Sequence, residues 1–413
     1  MPPLGRFVAC WGNGQHGRLG HMCGESSELF PRIVAALAGQ RAAQVACGGA
    51  HTAAVMEDGS LWTWGINSRG QLGHSNDLKH CGEPTEVILP DRIASVQAGE
   101  AHTLAVSASG EIWAAGCNSD GQLGLGDEYG ARNAEFRLVR GLRGRAVRQV
   151  AAGQEHSLAL GAGGEVWAWG RGAYGQLGLG PSLTRWVVTP RRVEALEGVR
   201  VAAVAAGAFH SAAVDADGNA YVWGRGDSYQ LGTGLKNHEC LPQQLRTLQH
   251  VKQLALGCDY SLAVGSHGRV ASWGTDDSGC LGQGLKWPRP ATPAPARVAA
   301  RLAAAAAGWR HAAGADEDGR LFAWGWGGAV GAGGLAAPSA DLGAGQLGLG
   351  DDRDRFEPSQ VLRLRVGPAG FRDLRQSVGA GGGLWRARGV SCGRNHTAAV
   401  VEVALEEHEI PRE

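Results

Sequence analysis

The sequence predicts an all-β fold: a closed ring of seven small antiparallel sheets of about four strands each, a seven-bladed β-propeller. Three observations predict it. A pair of motifs recurs every 50 to 54 residues with fixed internal spacing, each unit carries a turn between two apolar runs, and the two ends of the 413-residue chain hold complementary half-units. A sheet of about four strands cannot bury both faces alone, and radial stacking of such sheets solves that problem.

Internal repetition carries most of the weight. Six segments read Gly-x-x-His, beginning at Gly48, Gly99, Gly153, Gly207, Gly308 and Gly393, and a seventh, Gly257-Cys258-Asp259-Tyr260, substitutes tyrosine. Fourteen residues after the aromatic of the first six copies in chain order stands a glycine, usually preceded by tryptophan: Gly65, Gly116, Gly170, Gly224, Gly274 and Gly325. Seven residues beyond these glycines, and beyond Gly12, comes Leu-Gly; only after Gly325 is the interval longer, reaching Leu347. Strands demand such constancy, because a slip of one residue turns every core side chain to the opposite face.

Each element follows in order. An apolar run before the motif, such as Ile93-Ala94-Ser95-Val96, supplies the first strand of the unit. His51 to Val55 supplies the second and Leu61 to Trp64 the third, joined through Glu57-Asp58-Gly59, and an Asp-Gly pair between apolar runs is a strong hairpin signal. The Gly-Gln-Leu-Gly segment is expected to supply the outer edge strand. Trp11-Gly12 has no Gly-x-x-His before it and His396 has no Trp-Gly after it, so the two ends should share the last blade and remove two open sheet edges. Residues 1–413 are therefore expected to form one propeller, with insertions at about 327–344 and 366–388 and a short acidic tail at 404–413. The insertions, rich in glycine and alanine, read as surface loops, where partner binding tends to settle.

Composition narrows the function. Lysine plus arginine and aspartate plus glutamate each total 39, so no net field draws in nucleic acid or an anionic membrane. The 67 glycines come with only 16 prolines and 44% hydrophobic residues, which fits a folded, turn-rich chain rather than a collagen or a disordered polymer. Nine cysteines without a CxxC pair argue against zinc and against a disulfide framework. No basic-then-apolar leader and no bilayer-length apolar run is present, so cytoplasm or nucleus is the expected location. GxGxxG occurs at Gly12 and Gly170, but each opens a strand rather than the helix that a dinucleotide site needs. No metal, cofactor or metabolic active site is expected.

The motif histidines, on separate blades, cannot converge on one ion. A hydrogen bond tying strands together is the expected role, and Tyr260 can serve it too. Nine of the fourteen tryptophans sit at Trp-x-Trp-Gly positions and read as core. Trp186, Trp287, Trp309, Trp326 and Trp385 fall outside that pattern and are the candidates for exposed contact. The cluster Asp351 to Arg355 and the acids from Glu402 onward read as solvated surface.

Gly-x-x-His-Thr/Ser, aliphatic-Trp-x-Trp-Gly and Gly-Gln-Leu-Gly-Leu-Gly, repeated across essentially the whole chain, resemble the regulator of chromosome condensation repeat. The resemblance implies a seven-bladed propeller and three functional classes. The first is a non-catalytic protein-interaction scaffold, monomeric, docking a protein partner or large assembly through ring-face and inserted loops; no sequence-specific nucleic acid and no membrane is expected. The second is guanine-nucleotide exchange on a Ran-like small GTPase, which uses acids at the second and third motif positions of consecutive blades; Glu100 and Glu155 occupy such positions. The loop from Gly116 to Leu123 leaves no room for the wedge of that class, and the basic N-terminal tail of its founder is missing. The third is a UV-B photoreceptor-like homodimer, whose tryptophan cluster is represented here by Trp309-Arg310-His311 alone. The resemblance thus nominates Glu100, Glu155, Asp259, Trp309, Arg310, His311, Arg394 and His396 as partner-binding residues, with no catalytic and no metal-binding residue.

Overall fold

A computed structural model describes residues 4–22, 25–75, 78–183, 185–284, 289–328, 344–367, 370–373, 385–406 and 408–410. Seven antiparallel sheets form the ring, six with four strands and one with six. The first blade shows the shared plan: Ala42–Cys47 lines the centre, followed outward by His51–Met56, Leu61–Ile66 and His80–Val87. Second to sixth blades span residues 93–138, 147–192, 201–244, 251–295 and 302–360. Since strands alternate in direction, the Gly-x-x-His loops and the loops after Trp-Gly share one face, here the upper. The hairpins and the links to the next blade share the lower face.

The ends close the seventh blade as expected. Leu4–Gly12 pairs with His396–Ala404 over nine residues, from Leu4 opposite Ala404 to Gly12 opposite His396. Arg386–Cys392 lies inside this pair and Glu28–Ile33 outside it. Between blades the core is made of the inward tryptophans: Trp11, Trp64, Trp169, Trp223, Trp273 and Trp324 are fully buried.

Several expectations are corrected. The Gly-Gln-Leu-Gly segments are turns, with Gly70 at φ +83° and Gly73 at +74°, and the outer strands begin after them, as at His80. The second insertion is partly sheet: its Phe371–Asp373 pairs with Arg363–Arg365, just before it, and together they extend the seventh blade beyond Glu28–Ile33, while 368–369 and 374–384 lie outside the described residues. Trp385, expected to be exposed, is buried, because this segment folds back on the core where the closing blade meets the sixth. Glu402 is likewise buried and paired with Arg6 at 2.9 Å and Arg388 at 2.6 Å, since it sits within the closing strand rather than a tail. Of the first insertion, 329–343 lie outside the described residues. No helix among the described residues is long and apolar enough to cross a membrane.

Candidate functional site: the rim of the central channel

The Gly-x-x-His loop places each of its residues differently. Its first glycine faces the next blade, and a Cβ at Gly48 would collide with the Gly99 carbonyl and with the His51 ring. That contact leaves room for a backbone bond at every junction: Gly49 N donates to Gly99 O (3.1 Å), Glu100 to Gly153 (3.3 Å), Gln154 to Ala208 (3.3 Å), Ala208 to Gly257 (3.1 Å), Cys258 to Trp309 (3.4 Å), Trp309 to Gly393 (3.2 Å) and Arg394 to Gly48 (3.2 Å). The seven bonds close a circle around the upper mouth of the channel.

The fourth residue turns into the wall. His51 Nε2 lies 2.9 Å from Thr103 Oγ1, and the same link joins His102 to Ser157, His156 to Ser211, His210 to Ser261, His311 to Thr397 and His396 to Thr52. Each hydroxyl donates to a backbone carbonyl, as Ser211 does to Gln176 O at 2.7 Å and Thr52 to Arg18 O at 2.8 Å. Its lone pairs therefore accept from the imidazole, which fixes a proton on Nε2. Burial lowers His51, His156, His210 and His311 to about 3 and His102 to about 4, and drives His396 well down. His311 and His396, nominated for the partner-facing rim, thus lie fully buried between blades. Where tyrosine replaces histidine the acceptor changes as well: the sixth blade has Ala312 instead of a hydroxyl, and Tyr260 Oη reaches past it to Gly308 O (3.1 Å) and His311 O (2.6 Å).

The second residues line the mouth, a cavity of about 170 Å³. Arg394 Nη1 bonds Glu100 Oε1 at 3.0 Å, spanning the intervening blade, where Gly49 has no side chain and where a Cβ would meet Glu100. The Arg394 guanidinium also stacks 4.0 Å from the Trp309 ring, and Arg310, the next residue of the same loop, lies 5.5 Å from that ring. Cys258, beside Trp309, has its thiol pushed up to about 12 by burial. Cys258, Trp309, Arg394 and Glu100 therefore form one strip over half the mouth.

Third residues stand further out. Glu155 pairs with Arg171 at 2.6 Å, and half-buried Asp120 beside them is raised by burial first and by Glu155 second. Asp259, raised by burial and opposed by Arg225, pairs with that arginine at 3.3 Å. Arg225 further contacts Asp227 at 2.9 Å and sits 5.6 Å from the Phe209 ring and 5.7 Å from that of Tyr174. Sequence reading missed Arg171, Arg225, Tyr174 and Phe209. A signal was available for three of them: Arg171 and Arg225 follow Trp-Gly on the same face as the motif loop, and Phe209 is itself the third motif residue.

Among the other candidates, Trp186 is 60% exposed, Trp309 and Trp326 are half-buried, and Trp287 lies outside the described residues. Among the described residues no group of three or more His, Cys, Asp or Glu could hold a metal ion.

Comparison with known proteins completes the picture. The sequence pattern of the RCC1-like domain matches residues 7–399. The ultraviolet-B receptor UVR8 of Arabidopsis thaliana is 32% identical over 403 residues, which is 96% of this chain and 71% of that protein. The human E3 ubiquitin-protein ligase HERC2 is 36% identical over 248 residues, 59% of this chain and 5% of that much longer protein. Human WBSCR16 superposes with a TM-score of 0.77 and 26% identity, covering 96% of this chain and 98% of that one. Prp20p of Saccharomyces cerevisiae gives a TM-score of 0.79 at 22% identity, covering 99% and 93%.

Proposed function

The chain belongs to the RCC1-like domain family, and from that premise we propose that it is a non-catalytic interaction scaffold that docks a protein partner on its upper face. The observation that carries this reading is the closed circle of backbone bonds, which fixes the spacing of the charged and aromatic side chains around the mouth. A surface ordered before contact pays little conformational entropy on binding. Phe209, Tyr174 and Arg225 supply the aromatic and guanidinium anchors that dominate interface energies, with Glu100, Glu155, Asp259, Trp309, Arg310 and Arg394 beside them. Affinity purification from native extract with the wild type and with F209A/R225E tests it. A reproducible partner that the double variant loses is the expected result; equal recovery by both proteins defeats the reading.

A second reading, nucleotide exchange on a Ran-type GTPase, is favoured by the placement of Glu100 and Glu155 on consecutive blades of one face. Prp20p, whose fold is similar, was characterised for binding to Gsp1p and histones. On this reading a GTPase must displace Arg394 from Glu100 and Arg171 from Glu155 to reach the carboxylates. Release of fluorescent GDP from a Ran-type GTPase should accelerate with micromolar protein and slow again with E100Q/E155Q; an unchanged rate removes the reading.

A further inference from the structure

The lower face carries a feature that zero net charge conceals. Each innermost strand starts there, and its first buried residues occupy equivalent register positions: Ala42, Ile93, Val147, Val201, Val251, Leu302 and Ala387. Immediately before or after that residue stands a cation in every blade. In the first blade it is Arg41, paired with Glu57 at 2.6 Å. In the other six they are Arg92, Arg148, Arg200, Lys252, Arg301 and Arg386, all exposed. None of these six enters an ion pair among the described residues. Arg148 and Lys252 donate only to backbone carbonyls of the next blade, Val201 O at 2.8 Å and Ala202 O at 2.9 Å for the first and Ala303 O at 3.2 Å for the second.

Those bonds also set the scale. The Arg148 guanidinium reaches from its own blade to Val201 and Ala202, next to Arg200, and Lys252 likewise reaches Ala303, two residues from Arg301. One counter-charge reaches the ring: Asp58, held below its ordinary value by Ser60 first and by Arg92 further down; the other five cations have no ion-pair partner among the described residues, and like charges crowded together repel, a cost that a bound polyanion would offset.

We propose that this annulus is a binding site for an acidic polypeptide segment, distinct from the upper rim and independent of whether that rim docks a partner. Five of the six cations are arginine, whose planar fork matches carboxylates bidentately. An extended peptide sets alternate side chains about 6.6 Å apart on one face, so it presents several carboxylates to the ring at once. Alternating positions hold alanine, Ala43, Ala94, Ala202 and Ala303, which lets a main chain approach between the guanidinium groups. A nucleic acid fits less well, because none of these positions carries an aromatic ring on which bases could stack.

Fluorescence anisotropy with a fluorescein-labelled twelve-residue Glu/Asp peptide tests the proposal on the full chain. The peptide should bind at low salt and weaken about tenfold or more as salt rises several-fold. The charge reversal R92E/R200E/R301E should abolish binding, and the neutral set R92Q/R200Q/R301Q, less disturbing to folding, should weaken it about tenfold. An upper-face set of equal charge change, R69E/K79E/K236E, should leave affinity within about twofold, which separates a local site from net charge. Thermal melts identify any variant that fails to fold, in which case the neutral set decides. Binding unchanged in the lower-face sets, equal loss in the upper-face set, or tighter binding of a twelve-residue oligothymidylate than of the peptide would each overturn it.

Discussion

At the scale of single residues, the repeated histidine is a structural donor whose value depends on staying neutral. Its folded pKa of about 3 to 4 lies below the ordinary value near 6.5, so the unfolded chain takes up protons first. The stabilisation is complete above about pH 6.5 and is lost as pH falls towards the folded values, at about 1.4 kcal/mol per pH unit for each histidine once the unfolded ring is charged. Urea titrations at pH 7 and pH 5 should show a marked loss of stability; equal midpoints would contradict the neutral relay. The tyrosine exception offers a sharper check. Y260H should cost about 1–3 kcal/mol, because Ala312 gives the new imidazole no acceptor. Adding A312S should recover part of that cost, and a double-mutant cycle with no coupling would rule out the inferred pairing of the two positions.

Elements explain what the sequence made legible and what it hid. The three inner strands were readable because tryptophan, histidine and glycine must recur at fixed intervals wherever two blades meet, as Gly48 against Gly99 illustrates. Outer strands face solvent and share no pattern, from the eight residues of His80–Val87 to the two of Ala294–Pro295, so the conspicuous Gly-Gln-Leu-Gly was mistaken for one. Trp385 was misread for the opposite reason: it lies in non-repeating sequence, where no period tells inside from outside. The rim was half legible, since motif position gave Glu100 and Arg394 but could not show that Gly49 lets them meet. A device at this scale escaped notice altogether. The amides of Gln44, Gln149 and Gln253 each bond both the N–H and the C=O of one residue on the next innermost strand, respectively Val96, Val204 and Ala305. They act as artificial rungs on edges that would otherwise be unpaired. Q149A should cost about 1–3 kcal/mol by leaving Val204 unsatisfied. Q97A, for which no such bond is seen, should cost far less; equal melting temperatures for the two variants would contradict this role.

Over the whole molecule, the nine-residue pairing of Leu4–Gly12 with His396–Ala404 decides whether the ring exists. Deleting residues 1–12 opens two sheet edges and removes Trp11 from between the sixth and seventh blades, and should yield aggregated or unfolded protein by size-exclusion chromatography and circular dichroism. A monomeric product with an unchanged melting temperature would show that the closure is dispensable. The two mouths of the channel also differ in character, the upper one mixing acids, arginines and aromatics, the lower one bordered by the cations at the starts of the innermost strands. The same closure has a price in time. Because Leu4–Gly12 must wait for His396–Ala404, a ribosome adding about 5–20 residues per second leaves its inner edge unpaired for roughly 20–80 s, with only Glu28–Ile33 on its other side. Throughout that interval the nascent chain carries a sticky, half-built blade, which makes the newborn protein a natural client for whatever guards the tunnel exit.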